Sequence, residues 1–341
     1  MTGEPKVVLH DHLDGGVRPA TVIDLAADAG VELPTTDVDE LRDWFTIVPG
    51  MPFPDAWHRF SVAIAVLQTA DALHRVAREA VEDLAADGVV YAELRFAPLN
   101  HLRGGLTPDE VLAAVTAGIA EGEATTGCVA RTIVCGIREN EPAESAAAAE
   151  LAVAWKDRGV VGFDLAGNEY DFGADLHAEA FDIARRGGLG VTVHAGEMAG
   201  PESIALSIEV ARPTRIGHGL TLADDCEIDA GRVVSLGAIA GQVRDAGLVL
   251  EVGVTSNSCL GTPVAEHPVR MYHDAGFAVS VNPDDRTITT TTTAHEYDLW
   301  SEIHGFTSDE FREINLRALE AAFCDEPTKA RLRPIVAAGW S

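Results

Sequence analysis

The segment Lys6-Val7-Val8-Leu9-His10-Asp11-His12-Leu13-Asp14-Gly15-Gly16 decides how the rest of the chain is interpreted. Its apolar run predicts a β-strand over Lys6–His12, and the paired glycines predict a sharp turn after it. Because side chains two residues apart in a strand point to the same side, His10 and His12 are expected to project together, with Asp11 facing away. Two imidazoles on one side of a strand end make half of a metal site, although His-x-His alone is also compatible with two surface histidines.

Apolar segments of this kind recur along the chain and alternate with helical patterns. Further strands are predicted at Val89–Arg95, Arg131–Arg138, Val160–Leu165, Gly190–His194, Arg215–His218, Leu248–Val254 and Ala278–Val281. Helices are predicted at Pro19–Ala29, Val38–Phe45, Pro108–Glu121, Ala143–Arg158, Leu176–Arg186, Pro201–Ala211 and Val264–Ala275. Strands that are apolar throughout indicate a parallel sheet covered by helices. Eight strands of this type favour an α/β fold of the (β/α)8 TIM-barrel class over an open doubly wound sheet, as does the absence of G-x-G-x-x-G after the first strand.

The domain organisation follows from the same pattern. Neither a repeat nor a low-complexity linker divides the 341 residues, so we expect a single domain over residues 1–341. A helical lid insertion is predicted at about residues 38–87, with a break near Thr69, and a C-terminal tail of two helices at about residues 308–338. The acidic segment 224–245 is predicted to be less regular and to contain one helix.

Composition excludes several classes of function. The net charge of -29, from 54 acidic and 25 basic residues, argues against nucleic-acid or anionic-membrane partners. Five cysteines without C-x-x-C spacing argue against a disulfide framework or a cysteine zinc cluster. The sequence shows neither a leader pattern nor an apolar run of membrane-spanning length, so we expect a cytoplasmic protein. The oligomeric state stays open.

Polar residues follow the predicted strands where each strand ends. They are His10, His12, Asp14, Arg95, Gly167, His194, Glu197, His218, Asp284 and Asp285. In a barrel all strand carboxyl ends meet at one face, so these residues are expected to converge. Three histidines and an aspartate match the ligand types of zinc. Some metal-binding barrels hold two metal ions that are bridged by a carbamylated lysine at the end of a strand. None of the three lysines here, Lys6, Lys156 and Lys329, follows the fourth strand, so the sequence favours a single metal ion.

Six motifs carry a resemblance to a known family. They are Leu9-His10-Asp11-His12-Leu13-Asp14-Gly15, Asp164-Leu165-Ala166-Gly167-Asn168-Glu169, His194-Ala195-Gly196-Glu197, Arg215-Ile216-Gly217-His218-Gly219, Thr255-Ser256-Asn257 and Ser280-Val281-Asn282-Pro283-Asp284-Asp285. These motifs occur in the family's order and extend from the first predicted strand to the last. Through them the chain resembles the adenosine deaminase family of the amidohydrolase superfamily, in its bacterial form.

The resemblance implies a zinc-dependent aminohydrolase that acts on a cyclic amidine C–N bond. One Zn²⁺ per chain would be held by His10, His12, His194 and Asp284, and would activate a water for attack on C6 of adenine. Glu197, as the neutral acid, would protonate N1. His218 would orient the water and shuttle its proton, and Asp284 would also accept a hydrogen bond from that water.

Substrate contacts are implied in the same way. Asp285 would hold N7, the Gly167 N–H would hold N3, Asp14 would bind the ribose 5′-hydroxyl, and His12 also counts among the substrate-binding residues. In the lid segment, Trp57, Phe60, Val62 and Ile64 are expected either to face the purine or to pack in the core.

Several of these residues are also compatible with ordinary structural roles. Asp14 is equally suited to capping the following helix, and Glu197 to capping helix 201–211. Asp285 is compatible with pairing to Arg286, and Gly167 with serving as a turn glycine.

The implied reaction converts adenosine and 2′-deoxyadenosine to inosine and 2′-deoxyinosine with release of ammonia, a step of purine salvage. A small-molecule purine nucleoside is therefore the expected partner. The sequence departs from the common family pattern at Pro283, Arg286, Gly253-Val254 and Ser258–Gly261. Relatives with the same ligands act on adenine or on modified adenine nucleosides, so these substrates stay open as well. A catalytically inactive purine-binding protein is the competing hypothesis from another class.

Overall fold

The computed structural model describes residue 1 and residues 3–340, which form a closed barrel of parallel strands surrounded by helices. The strands are β1 Lys6–His12, β2 Val89–Phe96, β3 Val129–Ile137, β4 Val160–Ala166, β5 Gly190–Val191, β6 His194–Ala195, β7 Arg215–His218, β8 Cys226–Asp229, β9 Arg232–Leu236, β10 Val249–Val252 and β11 Ala278–Val281. All of them pair in parallel except β8 and β9, which form an antiparallel hairpin outside the barrel. The predicted (β/α)8 class is confirmed.

The helices cover the outside of the barrel. They are α1 Pro19–Ala29, α2 Val38–Phe45, α3 Phe53–Val66, α4 Ala70–Ala86, α5 Pro108–Thr126, α6 Pro142–Ala154, α7 Ala178–Arg186, α8 Pro201–Ala211, α9 Ala238–Asp245, α10 Val254–Cys259, α11 Val269–Asp274, α12 Thr293–Glu302, α13 Ser308–Ala321 and α14 Glu326–Ala338. In the described part of the chain, no helix has the length and apolar content needed to cross a membrane.

Side chains as well as strands close the barrel. The fifth barrel strand is split: β5 pairs with β4, and β6 pairs with β7. Between them, Thr192 N–H donates to Phe163 O and Val193 O accepts from Gly217 N–H, so the ladder continues through the break. The last strand meets the first through the Asn282 side-chain carbonyl, which accepts from Leu9 N–H at 2.9 Å and from His10 N–H at 3.0 Å.

The C-terminal helices close the amino-terminal end of the barrel. The Asn315 side-chain carbonyl accepts a hydrogen bond from Val7 N–H at 2.8 Å. The Phe323 ring lies 3.6 Å from the guanidinium carbon of Arg215, and a Cβ added to Gly162 or Gly190 would collide with that ring. The two glycines therefore leave space for the Phe323 ring, which fills the amino-terminal end of the barrel. The opposite end, where the strands have their carboxyl ends, stays open.

Most predicted boundaries agree with the structure, and the differences have local causes. The predicted helix 264–275 is interrupted at His267, because the residue before Pro268 is disfavoured in helical geometry. The predicted strand 248–254 ends at Val252, since the Val254 N–H that opens α10 is held by the buried Glu296 carboxylate at 3.0 Å. The hairpin β8–β9 and helix α12 were not predicted.

Candidate active site

Two imidazoles of β1 and one carboxylate that follows β11 meet at the open end of the barrel. His10 and His12 project to the same side, as strand alternation requires. His10 Nε2 lies 2.9 Å from Asp284 Oδ1, and His12 Nε2 lies 3.4 Å from the same oxygen. The Nε2 atoms of the two histidines are 3.3 Å apart. The structure therefore brings together the first and last predicted ligands, which are more than 270 residues apart in sequence.

His194 and His218 complete the cluster. His194 Nε2 is 3.2 Å from His12 Nε2. His218 Nε2 lies 4.0 Å from Asp284 Oδ2 and 3.5 Å from Glu197 Oε1. His218 and Asp284 both have positive φ, +65° and +61°, a conformation that is uncommon outside glycine and concentrates at functional sites.

Two buried carboxylates behind the cluster set the protonation of its imidazoles. Glu251 Oε2 is 3.0 Å from His10 Nδ1, and Asp164 Oδ2 is 3.0 Å from His194 Nδ1. Because a carboxylate only accepts, each Nδ1 carries the hydrogen, and in the neutral ring each Nε2 then presents a lone pair to the centre. These two Nε2 atoms cannot satisfy Asp284 Oδ1, which is buried without a hydrogen-bond donor among the described residues.

A divalent cation fits this set of donors. Unprotonated imidazoles and a carboxylate are the ligands that Zn²⁺ and similar ions take. By separation of the ligand atoms, His10, His194, His218 and Asp284 form one potential metal-binding group, and His12, Asp284 and Asp285 form an overlapping one. The predicted ligands are divided between these groups: the first contains His10, His194 and Asp284 with His218 in place of His12, and the second contains His12 and Asp284.

An ion-pair network lies beneath the site. Arg95 contacts Asp164 and Glu251, each at 2.7 Å, and Arg215 contacts Glu251 at 2.6 Å. All four side chains are fully buried. Burial alone would raise the pKa of Glu251, but Arg95 and Arg215 hold that pKa below its usual range. The carboxylate that orients His10 therefore stays ionised inside the barrel.

Two other carboxyl groups of the site have raised pKa values. Burial, reinforced by Asp284 and Glu169, raises the pKa of Glu197 well above its usual range. Burial, reinforced by Asp284 and Asp14, also raises the pKa of Asp285. The site thus combines one ionised carboxylate at Asp284 with two neighbours that favour the protonated form, which is the arrangement that acid–base chemistry requires.

Glu169 fixes the loop that carries Glu197. Its carboxylate accepts from Gly196 N–H at 2.8 Å, from Glu197 N–H at 3.0 Å and from the Ser203 hydroxyl at 2.7 Å. The start of α8 is formed by Gly200 without a side-chain cap, so the expectation that Glu197 caps this helix is wrong.

Neither aspartate of the pocket has the ordinary structural role that its neighbours in sequence suggest. Arg286 pairs with Asp11 at 2.8 Å and with Asp83 at 3.4 Å, so the expected Asp285–Arg286 pair is wrong. Helix α1 begins without a side-chain cap, so Asp14 does not cap it. Both carboxyl groups are therefore left to face the pocket.

Gly167 is a turn glycine and a pocket residue at once. Its φ is +111°, and a Cβ there would lie 2.1 Å from Glu139 Oε2, so the turn requires glycine. The same residue lines the pocket beside Glu139.

A pocket of about 1080 Å³, its open mouth included, leads to the cluster. Its polar lining includes His12, Asp14, Glu139, His194, Glu197, His218, Asp284 and Asp285. Its apolar wall includes Ile47, Trp57, Phe60, Ile64, Leu260 and Ile288. Val62 instead packs in the core, so of the four lid residues singled out from the sequence, the other three reach the pocket.

Asp14 lies at the pocket wall near a second histidine. Burial raises the pKa of Asp14 to about 6, and its Oδ2 is 4.0 Å from His101 Nε2. His101, which the sequence did not suggest as a site residue, is fully buried and its Nδ1 contacts Leu67 O at 2.9 Å.

Sequence reasoning assigned no role to Glu251, Asp164 and Glu169. The available signal was the charged residue inside an otherwise apolar strand, as in Val249–Val252, because a buried charge must be paired. Asp164 occupies the same kind of position in β4.

The chain is similar to known proteins over nearly its whole length. A family model described as adenosine deaminase matches residues 5–338. The adenosine deaminase of Mycobacterium leprae is 42% identical over 330 residues, which cover 94% of this chain and 90% of that protein.

Solved structures share the fold. An amidohydrolase from Burkholderia ambifaria with bound Zn is 26% identical, with a TM-score of 0.86 over 99% of this chain and 90% of that one. An adenine deaminase from Arthrobacter aurescens has a TM-score of 0.87 at 23% identity, covering 98% of each chain.

Proposed function

This chain belongs to the adenosine deaminase family, and from that membership together with the geometry of the site we propose that it deaminates adenosine and 2′-deoxyadenosine hydrolytically. The products are inosine or 2′-deoxyinosine and ammonia. The observation that carries the proposal is the convergence of His10, His12 and His194 near Asp284, in the pocket that Glu197 also lines. The raised pKa of Glu197 suits a proton donor.

Zinc is the proposed metal, with His10, His12, His194 and Asp284 as its ligands. The Nδ1 contacts to Glu251 and Asp164 leave lone pairs on His10 and His194 Nε2, and Asp284 Oδ1 has no other donor among the described residues. When bound, such an ion lowers the pKa of a water to about 7 and so supplies a nucleophile at neutral pH.

The remaining groups act on the purine. Glu197, held in place by Glu169, donates a proton to ring N1, which makes C6 electrophilic. Asp285, favoured in its protonated form by burial, donates to N7, and the Gly167 N–H donates to N3. We further propose that segment 38–87 acts as a lid, since Trp57, Phe60 and Ile64 from α3 line the pocket.

The charge of the pocket favours a nucleoside over a nucleotide. Among the described lining residues there are five acidic side chains and neither arginine nor lysine. A phosphate monoester binds where cationic donors can pair with it, so this lining offers a 5′-phosphate no cationic side chain. Asp14, at the same wall, suits a neutral 5′-hydroxyl.

A modified adenine nucleoside is the second candidate. Cys259 and Leu260, which belong to a departure from the common family pattern, both line the pocket. Their side chains change the apolar wall without replacing any of the proposed ligands, so they bear on the substrate rather than on the chemistry.

The experiment is a substrate panel scored by ammonia release. Metal-replete protein is assayed with adenosine, 2′-deoxyadenosine, N6-methyladenosine, adenine and AMP, with the Glu197→Gln variant as the inactive control. We expect the two unmodified nucleosides to react fastest and AMP to react least. Release from adenine alone would overturn the nucleoside assignment, and no release from any compound would favour a purine-binding protein without activity.

A further inference from the structure

His218 is the end of a buried chain of hydrogen bonds that leads away from the cluster. His218 Nδ1 lies 3.2 Å from Asn257 Nδ2, and Asn257 Oδ1 lies 3.1 Å from His267 Nε2. At the far end, Val269 N–H donates to His267 Nδ1 at 3.2 Å. Asn257 is completely buried, and His218 and His267 are 2% and 5% exposed.

The backbone donor at the far end fixes which atom donates and which accepts in each of these hydrogen bonds. Because Val269 N–H can only donate, His267 Nδ1 is the acceptor, and a neutral His267 carries its hydrogen on Nε2. Burial lowers the pKa of His267 to about 3, so the ring is neutral at ordinary pH. Its Nε2–H must then face the Asn257 carbonyl, which leaves the Asn257 amide nitrogen to donate to His218 Nδ1.

We propose that Asn257 and His267 are positioning residues that hold His218 as the tautomer with its hydrogen on Nε2. This inference rests on the proposed function, because it assigns the role of His218 within that reaction. A neutral His218 of this tautomer presents a donor, and not a lone pair, to Glu197, Asp284 and the reacting oxygen. It therefore orients that oxygen by donating a hydrogen bond and does not accept a proton at Nε2, so the proposal keeps the orienting role that the resemblance implies and replaces the proton shuttle.

The tautomer also separates His218 from the histidines proposed as metal ligands, although its ring lies within the same potential metal-binding group. His10 and His194 have carboxylates behind Nδ1, which place their hydrogens there and free Nε2. His218 has an amide donor behind Nδ1, which produces the reverse arrangement. The three imidazoles thus differ in the partner of Nδ1. That partner determines whether Nε2 accepts or donates a hydrogen bond.

The direct test is the ring nitrogen spectrum of His218. In protein labelled with ¹⁵N at histidine, long-range proton–nitrogen correlation distinguishes a protonated ring nitrogen from an unprotonated one, and the His218→Asn variant assigns the signals by their loss. We expect an unprotonated Nδ1 and a protonated Nε2 in the zinc-loaded protein. A protonated Nδ1 would overturn the proposal, whatever the substrate panel shows.

Variants of Asn257 and His267 test whether these hydrogen bonds determine the tautomer of His218. Asn257→Asp removes the donor and should move the hydrogen of His218 to Nδ1, with kcat reduced about 100-fold and KM nearly unchanged. His267→Gln, whose amide can still donate to Asn257 Oδ1, should retain more activity than His267→Leu. Ser258→Ala, on the same helix, is the matched control, because the Ser258 hydroxyl donates to Thr255 O and is not part of the hydrogen-bond chain to His218.

The outcomes separate a positioning role from a structural one. If Asn257→Asp folds, keeps its melting temperature and loses kcat together with the change of tautomer, the proposal stands. If Asn257→Asp leaves the His218 signals unchanged, or if His267→Leu and His267→Gln lose kcat equally, the chain does not control His218 and the proposal fails. An inactive wild-type protein with the expected spectrum would contradict the proposed function and not the hydrogen-bond chain.

Discussion

Glu251 Oε2 lies 3.0 Å from His10 Nδ1 and 2.7 Å from an Arg95 nitrogen, so one carboxylate both orients a proposed metal ligand and neutralises a buried guanidinium. The same residue also pairs with Arg215 through its other oxygen. The proposed metal site and the core of the barrel therefore depend on the same side chain.

Replacing Glu251 should reduce stability and metal affinity together. In Glu251→Gln, two buried guanidiniums lose their shared anion but keep Asp164 and Glu93 as partners, so the cost is about 1.5–3 kcal/mol of unfolding free energy. The loss of the negative charge behind His10 should weaken metal binding about 10–100-fold. Urea unfolding and a competitive zinc titration measure the two effects. Glu227→Gln, on the exposed hairpin, is the control, and equal stability of the two variants would contradict the network's importance.

Gly15→Ala should act through Asp285. A Cβ at Gly15 would lie 1.7 Å from Asp285 Oδ1, so the carboxyl group must move away from its place in the pocket. Loss of its hydrogen bond to the purine should lower kcat/KM about 10–100-fold. If displacement of Asp285 is the cause, the double variant with Asp285→Ala should lose no more than Asp285→Ala alone.

The control for this substitution is Gly241→Ala. Gly241 lies inside α9, and a Cβ there meets nothing within 4 Å. The variant should keep full activity and gain about 1 kcal/mol of stability from helix propensity. Independent, additive losses in the Gly15→Ala and Asp285→Ala variants would show that Gly15 acts in some other way.

Glu296 should make stability fall as the pH rises through the weakly acidic range. Burial raises its pKa to about 7 from the ordinary value of 4.5, so the folded state holds a proton that the unfolded chain has already lost. Unfolding free energy therefore decreases between about pH 4.5 and pH 7, by on the order of 3 kcal/mol, and levels off above.

The Glu296→Gln variant isolates this contribution. The amide stays neutral, its oxygen can still accept from Val254 N–H, and its nitrogen can donate to the Thr291 hydroxyl. Melting temperatures of wild type and variant across pH 5–8 should converge at the acid end, with the variant more stable at the alkaline end. Parallel curves would mean that Glu296 keeps an ordinary pKa.

Asp14→Ala should distinguish nucleoside from nucleobase recognition. If Asp14 binds the ribose 5′-hydroxyl, kcat/KM for adenosine should fall about 10-fold or more, while the rate with free adenine should change little. The measurement is ammonia release from both substrates at several concentrations. Equal losses with the two substrates would place Asp14 in a structural role.

Removal of the metal should be reversible and specific. Dialysis against a zinc chelator should abolish ammonia release and lower the melting temperature, because a ligand bound only to the folded state stabilises it. Added Zn²⁺ should restore both in the wild type. His194→Ala should show little recovery at the same zinc concentration, and full recovery in that variant would remove His194 from the ligand set.

The barrel and the convergence of the site were predictable because they follow from strong local patterns. The apolar run that ends in His10 and His12 specifies a strand and the direction of two side chains. Topology then supplies the rest, since parallel strands in a barrel deliver their last residues to one face. His194, His218 and Asp284 could be placed there without knowledge of any distance.

The residues that were missed act through contacts between strands far apart in sequence. Glu251 gains its role only because the closed barrel places β10 two strands from β1, with β11 between them. No local pattern around Glu251 names His10 as its partner. His267 looked like any helical or loop histidine until its ring was placed against Asn257. Similarly, Arg286 finds Asp11 and Asp83 rather than its neighbour Asp285, because the turn at Asp284 directs adjacent side chains apart.

The carboxylate-rich wall of the pocket has a consequence for competition among metabolites. Purine nucleotides share the ring that Glu197 and Asp285 are proposed to bind, so they would compete for any site that recognised the ring alone. A wall that offers phosphoryl groups no cationic side chain disfavours these competitors, so the rate of turnover would follow the supply of dephosphorylated substrate.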